Sequence, residues 1–193
     1  MAIKLPKTIS NDEFLSITQC INRKCPTGCR NYAILLLMYR AGLRVSEVCN
    51  LTVKDLDFEN GTIYVQSGKG DKDRFTVLDN VAAEACQDWI KRRPESDYLF
   101  STIKGGQLDE RYIREVCYRM SEKAGIYIQD GIRRKKVSPH KFRHSFATRA
   151  LNELDLNIRE VQELLGHANL NNTMIYTHIN PKALAQKYRE RSV

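Results

Sequence analysis

Six residues in this chain are of types that could together act on a phosphate ester: Arg44, Lys69, His140, Arg143, His167 and Tyr176. All six fall at the ends of expected elements or in loops, where functional groups concentrate. A guanidinium stays charged and offers a planar fork of donors. Two of them can balance the charge that builds on a phosphodiester's oxygens, a task that many enzymes give to two metal ions. A tyrosine hydroxyl, with an ordinary pKa of about 10, needs nearby cations or a base to become a good nucleophile. A leaving alkoxide needs an acid, and a lysine on a hairpin tip can supply the proton. Each residue also has a plainer reading. Arg44 could pair with Glu47 three residues on. Lys69 could be a solvated hairpin lysine, His140 a helix cap, Arg143 one member of a basic face, and Tyr176 a core residue with its hydroxyl satisfied.

The elements that must hold these residues can be read from punctuation and periodicity. Ser10 and Glu13 form a capping box that predicts a helix running toward Ile21. A loop with Pro26 and Gly28 follows. Asn31 to Ala41 reads as a buried helix stopped by Gly42, and Val45 to Leu51 as a short one. Thr62 to Gln66 and Arg74 to Leu78 are β-branched and alternating, and the glycine-containing turn Ser67 to Asp73 joins them as a hairpin with a basic tip. Asn80 caps a helix to about Arg93, and Asp109 to Ala124 forms another, closed by Gly125. A basic loop over 131–137 leads into Ser138 and Pro139, an N-cap and a first-turn proline. His140 and Arg143 then share one face of that helix, whose positive N-terminus suits an anion. Asn157 and Glu160 box a short helix ending at Gly166, and Asn180 and Pro181 open a last one. The expected fold class is mainly α with one small antiparallel β-sheet.

Composition narrows the classes. The chain has 193 residues, 42% hydrophobic and 28% charged, enough for a sizeable core. With Gly 10 and Pro 5, it is neither collagen-like nor low-complexity. Lys and Arg number 31 against 23 Asp and Glu, a formal net charge of +8 with a pI near 9.2. Between Gly131 and Ala150 stand seven basic residues and no acidic one. That stretch fits a nucleic acid or another anionic surface. No apolar run approaches the ~20 residues that span a bilayer. Met1 to Ser10 lacks a hydrophobic signal core. Nothing in it directs export, and the expectation is a cytoplasmic protein with no membrane partner. The six cysteines form no CxxC pair, so they read as reduced thiols rather than metal ligands.

Three stretches, taken together, carry a resemblance. They are Ser138-Pro139-His140-Lys141-Phe142-Arg143-His144-Ser145-Phe146-Ala147-Thr148, Leu164-Leu165-Gly166-His167-Ala168-Asn169 and Thr173-Met174-Ile175-Tyr176-Thr177-His178. With Gly42-Leu43-Arg44-Val45-Ser46-Glu47 and the hairpin lysine Lys69, they resemble the C-terminal half of tyrosine recombinases, the phage-integrase and Xer-type site-specific recombinases. The family's six motif positions occur in the family's order. Leu5 to Ser10 also looks like the segment that enters the family's catalytic domain.

The resemblance implies roles. Tyr176 would attack the scissile phosphate and form a 3′-phosphotyrosyl enzyme. Arg44 and Arg143 would clamp the non-bridging oxygens, Lys69 would protonate the leaving 5′-oxygen, His140 would serve in proton transfer, and His167 would donate to the phosphate. Lys72, Arg74, Arg133, Arg134, Lys135, Lys136 and Lys141 are expected to meet flanking DNA phosphates. No cofactor or metal is expected. The partner is double-stranded DNA with paired half-sites, held by a homotetramer whose C-terminal helices, from Pro181, dock on neighbouring subunits. A monomer in isolation is possible. Residues 1–193 read as a single catalytic domain, with the family's N-terminal core-binding domain absent from the sequence.

Other readings separate on particular residues. His140 and His144 have the spacing of a His-Glu-x-x-His zinc site, but Lys141 stands where the glutamate base belongs. A type IB topoisomerase has a similar constellation, and the short spacing from Leu165-Gly166-His167 to Tyr176 favours a recombinase. A non-catalytic DNA-binding relative would have no need of Tyr176.

Overall fold

In a computed structural model, residues 7–66, 73–130, 132–154 and 156–166 are described. Seven helices and five strands form within them. Helix α1 (Asn11–Gln19) starts at the expected box, in which the Ser10 hydroxyl accepts from the Glu13 amide and the Glu13 carboxylate accepts from the Ser10 amide. Helix α2 (Pro26–Arg40) begins earlier than the sequence suggests. Pro26 occupies the first turn, where its missing N–H costs nothing, so the residues expected to form a loop open the helix instead. Helix α3 (Val45–Asn50) follows at once.

A short 3₁₀ turn leads to strand β1 (Leu56–Asp57), which pairs antiparallel with β2 (Thr62–Val65). Strand β3 (Arg74–Val77) completes a three-stranded sheet in the order β1-β2-β3, with Val65 opposite Arg74. Helix α4 (Asn80–Ile90) is capped by the Asp79 carboxylate, one residue before the expected Asn80. Helix α5 (Glu110–Lys123) is capped by Asp109 and closes at Gly125.

The basic stretch before Ser138 is no loop. Strands β4 (Tyr127–Asp130) and β5 (Arg133–Lys136) pair as a second antiparallel hairpin, with Ile128 opposite Lys135. Its inner anchors are Ile128 and the fully buried Val137, so all four basic side chains of β5 stay exposed. Helix α6 (Pro139–Asn152) opens on Pro139, and α7 (Ile158–Leu165) is boxed by Asn157 and Glu160 and closed by Gly166.

The core is built around α2, whose residues from Ala33 to Tyr39 are all buried. It packs against α4 on one side and α6 on another. Phe14 stacks on Tyr39, with ring centroids 3.8 Å apart, and meets Phe142 edge-on. A second, smaller cluster of Phe146, Ala147, Ala150, Val161 and Leu165 joins α6 to α7. The helices α2, α6 and α7 therefore meet where three of the candidate residues emerge. No helix among the described residues is long and apolar enough to cross a membrane.

Candidate active site

The site begins where α2 ends. Gly42 adopts φ +69°, and a Cβ there would lie 2.4 Å from Cδ1 of Phe146 on α6. Only glycine lets the chain turn this close to α6. The turn sets Arg44 at the N-cap of α3. Glu47, in the first turn of α3, accepts from the Arg44 amide at 2.7 Å and from Arg44 Nη1 at 2.9 Å.

Glu47 is the hub of the site. Its carboxylate is buried and takes a parallel fork from Arg74, Nη1 to Oε1 at 2.7 Å and Nη2 to Oε2 at 2.9 Å. Arg143 Nη1 stands 3.8 Å from Oε2. Burial by itself would push the Glu47 carboxyl up. The hydrogen bonds and charge of Arg74, the Arg44 amide and the charge of Arg143 outweigh it and hold the group below the usual carboxylate range.

The same three arginines reach the C-terminus of α7. Arg74 Nε donates to the Leu164 carbonyl at 2.9 Å, Arg143 Nη2 to that of Leu165, and Arg44 Nη2 to that of Gly166 at 3.5 Å. Arg143 Nη1 also donates to the Gly42 carbonyl. The last carbonyls of a helix lack intrahelical partners and carry its negative pole, so cations settle there. Gly166 closes α7 at φ +64°, and a Cβ on it would lie 2.7 Å from Cδ of Arg74. The arginines are thus held from both sides, by a carboxylate on α3 and by carbonyls of α7.

Beside this cluster lies a cavity of about 420 Å³, lined by Arg44, Glu110, Arg114, Tyr118, His140 and Arg143 among others. His140 is exposed in the first turn of α6, and the His144 ring centre is 6.4 Å from its own. Burial pushes the His144 imidazole down to about 4, with help from the charges of Lys141, His140 and Arg143, so it is neutral at physiological pH. Among the described residues, no three His, Cys, Asp or Glu side chains cluster as metal ligands would. The six cysteines form no disulfide, and burial raises the thiols of Cys49 and Cys86 to about 12.

Of the six expected catalytic residues, Arg44, His140 and Arg143 come together around one cavity. Lys69, His167 and Tyr176 lie outside the described residues, as do Lys72 and the helix expected from Pro181. Among the expected DNA contacts, Arg133, Arg134, Lys135 and Lys136 form an exposed row on β5, and Lys136 Nζ pairs with Glu122 at 2.9 Å. Lys141 is half-buried on α6. Arg74 is a correction. It is 8% exposed and points inward onto Glu47, so it is not part of a surface that meets DNA. Sequence reasoning also missed Glu47, whose spacing from Arg44 suggested an ordinary surface pair.

Comparison with known proteins defines the class. Residues 7–183 match the phage integrase family, and the chain belongs to it. It is 36% identical to tyrosine recombinase XerC of Halalkalibacterium halodurans over 96% of this chain and 62% of that protein. It is 40% identical to tyrosine recombinase XerA of Thermococcus kodakarensis over 97% of this chain and 63% of that protein. The chain thus spans less than two thirds of the length of these relatives. Among solved structures, the crystal structure of XerA recombinase superposes with a TM-score of 0.79 at 34% identity, covering 97% of this chain and 65% of that one. The XerH site-specific recombinase bound to its difH substrate, a pre-cleavage complex, gives 0.74 at 33% identity over 94% of this chain and 53% of that one. The mainly helical fold with small antiparallel sheets is that of a tyrosine recombinase catalytic domain.

Proposed function

We propose that this chain is the catalytic domain of a site-specific DNA recombinase that cuts and rejoins strands through a 3′-phosphotyrosyl intermediate, without metal or ATP. The observation that carries the reading is the convergence of Arg44 and Arg143 at one cavity wall, oriented by Glu47, with His140 at the cavity as well. A scissile phosphodiester in that cavity has its non-bridging oxygens clamped by the two guanidiniums, which stay charged at every relevant pH. They offset the charge that grows in the transition state.

Tyr176 supplies the nucleophile. Its oxygen bonds to phosphorus as the bond to the 5′-oxygen breaks, and Lys69 gives that oxygen its proton. His140 assists proton transfer, and His167 donates to the phosphate. The tyrosyl ester keeps the bond energy, so the 5′-hydroxyl of a second strand can attack it, reseal the backbone and release Tyr176. Arg133 to Lys136 and Lys141, with Lys72, hold flanking phosphates and set register rather than sequence. Two DNA sites, each a pair of half-sites, bring four subunits together, each passing its C-terminal helix to a neighbour, in the cytoplasm at the nucleoid.

The test is trapping on a nicked suicide duplex in excess chelator. The chain forms a denaturant-resistant adduct, and Tyr176→Phe forms none while binding the duplex as before. An adduct in the Phe variant, or one that forms only with a divalent metal, overturns the reading.

A further inference from the structure

Arg74 sits in strand β3, five residues after Lys69 in sequence, and is used by none of the steps above. Its side chain is 6% exposed, and the Glu47 side chain it meets is 7% exposed. A carboxylate offers two oxygens and about four acceptor positions. Arg74 engages both oxygens through a parallel fork, the strongest geometry available to the pair. Arg44 reaches one oxygen with one nitrogen at 2.9 Å. Arg143 lies 3.8 Å from the other, inside ion-pair range but beyond hydrogen-bond distance.

One negative charge is therefore shared by three guanidiniums, and the sharing is unequal. The residue that takes most of it does not line the cavity, and the two that take less of it do. Arg74 is also fixed from behind. Its Nε donates to the Leu164 carbonyl, and its Cδ fills the space over Gly166 that any other residue would occupy. It cannot drift toward the cavity itself.

We infer that Arg74 is a positioning residue: by engaging both oxygens of Glu47, it stops that carboxylate from capturing Arg143 and from drawing more of the Arg44 charge than the one contact it has, and so keeps charge on both directed to a phosphate in the cavity. The inference rests on the reading of Arg44 and Arg143 as a phosphate clamp. Without the Arg74 fork, Glu47 is a buried carboxylate left with one hydrogen bond on each oxygen, from the Arg44 amide and Arg44 Nη1, and with much of its counter-charge gone, which is costly. The nearest cation not yet hydrogen-bonded to that carboxylate is Arg143, 3.8 Å away. A rotation of Arg143 that gives up the Gly42 carbonyl then exchanges the phosphate clamp for an internal salt bridge. The carboxylate is needed to orient the arginines, and Arg74 limits how much of their charge it takes.

The experiment uses inorganic phosphate as the probe and reads the arginine Nε–Hε resonances of Arg44 and Arg143 by NMR. This readout needs no catalysis. In the unsubstituted chain both signals shift saturably. Arg74→Gln weakens phosphate binding roughly tenfold, the scale of coupling between residues in one charged network. Adding Glu47→Gln to Arg74→Gln recovers part of the affinity, because the competing charge is gone while the amide oxygen can still accept from Arg44. Arg74→Lys keeps the charge without the fork and gives an intermediate loss, which covers the case that Arg74→Gln does not fold.

Three results would overturn the inference. One is no phosphate response in the unsubstituted chain. Another is unchanged affinity in a folded Arg74 variant. The third is a double variant that binds no better than Arg74→Gln, as a purely structural role requires. If the pattern appears but the suicide duplex yields no adduct, the recombinase reading fails and the role of Arg74 stands.

Discussion

Two arginine-rich regions of this molecule carry the same kind of charge and do different things with it. Around Glu47, three guanidiniums are pinned by a carboxylate and by helix carbonyls, and two of the three side chains are nearly buried. On β5, four basic residues in a row stand exposed. The inner charges have lost their water and gained fixed partners, so their direction is set and salt screens them little. The outer charges stay in water, where salt screens them, and the pair of Lys136 with Glu122 is an exposed one. Position in the fold, more than residue type, separates an arginine with fixed partners from one that stays in solvent.

The contrast can be sharpened by removing its hub. Glu47→Ala leaves Arg74 and Arg143 buried with their shared counter-charge gone. Breaking a buried ion pair from one side costs about 3–5 kcal/mol. Urea denaturation should show a loss of that size. A loss no larger than that of an exposed substitution would mean that the cluster is better hydrated than its burial indicates.

The outer row should respond in binding and salt dependence instead. Arg134→Ala is expected to weaken duplex binding similarly for all sequences and to reduce the slope of log affinity against log salt by about one. Lys136→Ala should do less, because its charge is already paired with Glu122. Binding across a salt series checks both, and a sequence-selective effect of Arg134→Ala would place it at a base edge.

The smallest effect separates the half-buried His144 from exposed His140. An unfolded histidine takes up a proton at about 6.5, whereas folded His144 does so only at about 4. The unfolded chain therefore binds more protons between those values, and stability falls as pH drops from about 6.5 toward 4. His144→Gln should flatten that part of the curve. The depressed Glu47 carboxyl acts at lower pH, where its stabilising charge is lost on protonation. Urea midpoints between pH 7.5 and 5 would show whether the slope survives the substitution.

The sequence reveals these regions unevenly, for physical reasons. Capping boxes at Ser10 and Asn157 and the glycine stops at Gly42, Gly125 and Gly166 are local, and all of them hold. Arg44, His140 and Arg143 are legible because a short motif surrounds each one. Strand β5 is not, since Arg-Arg-Lys-Lys has no β-branched residue. It becomes a strand by pairing with Tyr127 to Asp130 and by the burial of the adjoining Val137. The inward turn of Arg74 is hidden for the opposite reason. Strand β3 alternates as expected but buries its polar side, Arg74 and Thr76, and exposes Phe75 and Val77. Thr76 is satisfied by the Ala41 carbonyl and Arg74 by Glu47, partners 35 and 27 residues away in sequence. No local pattern encodes contacts of that range.

The difference between inner and outer charge is tested most directly by comparing two variants at saturating duplex. One carries Arg143→Ala, and the other has Arg133, Arg134, Lys135 and Lys136 all changed to Gln. The adduct with the nicked suicide duplex is followed in a single turnover. Arg143→Ala should bind nearly as the unsubstituted chain does and form adduct about 10²–10³-fold more slowly, the scale of removing one preorganised contact to transition-state charge. The β5 variant should need more duplex to saturate and then react at close to the normal rate. Equal slowing of both at saturation, or normal chemistry in Arg143→Ala, would contradict the account.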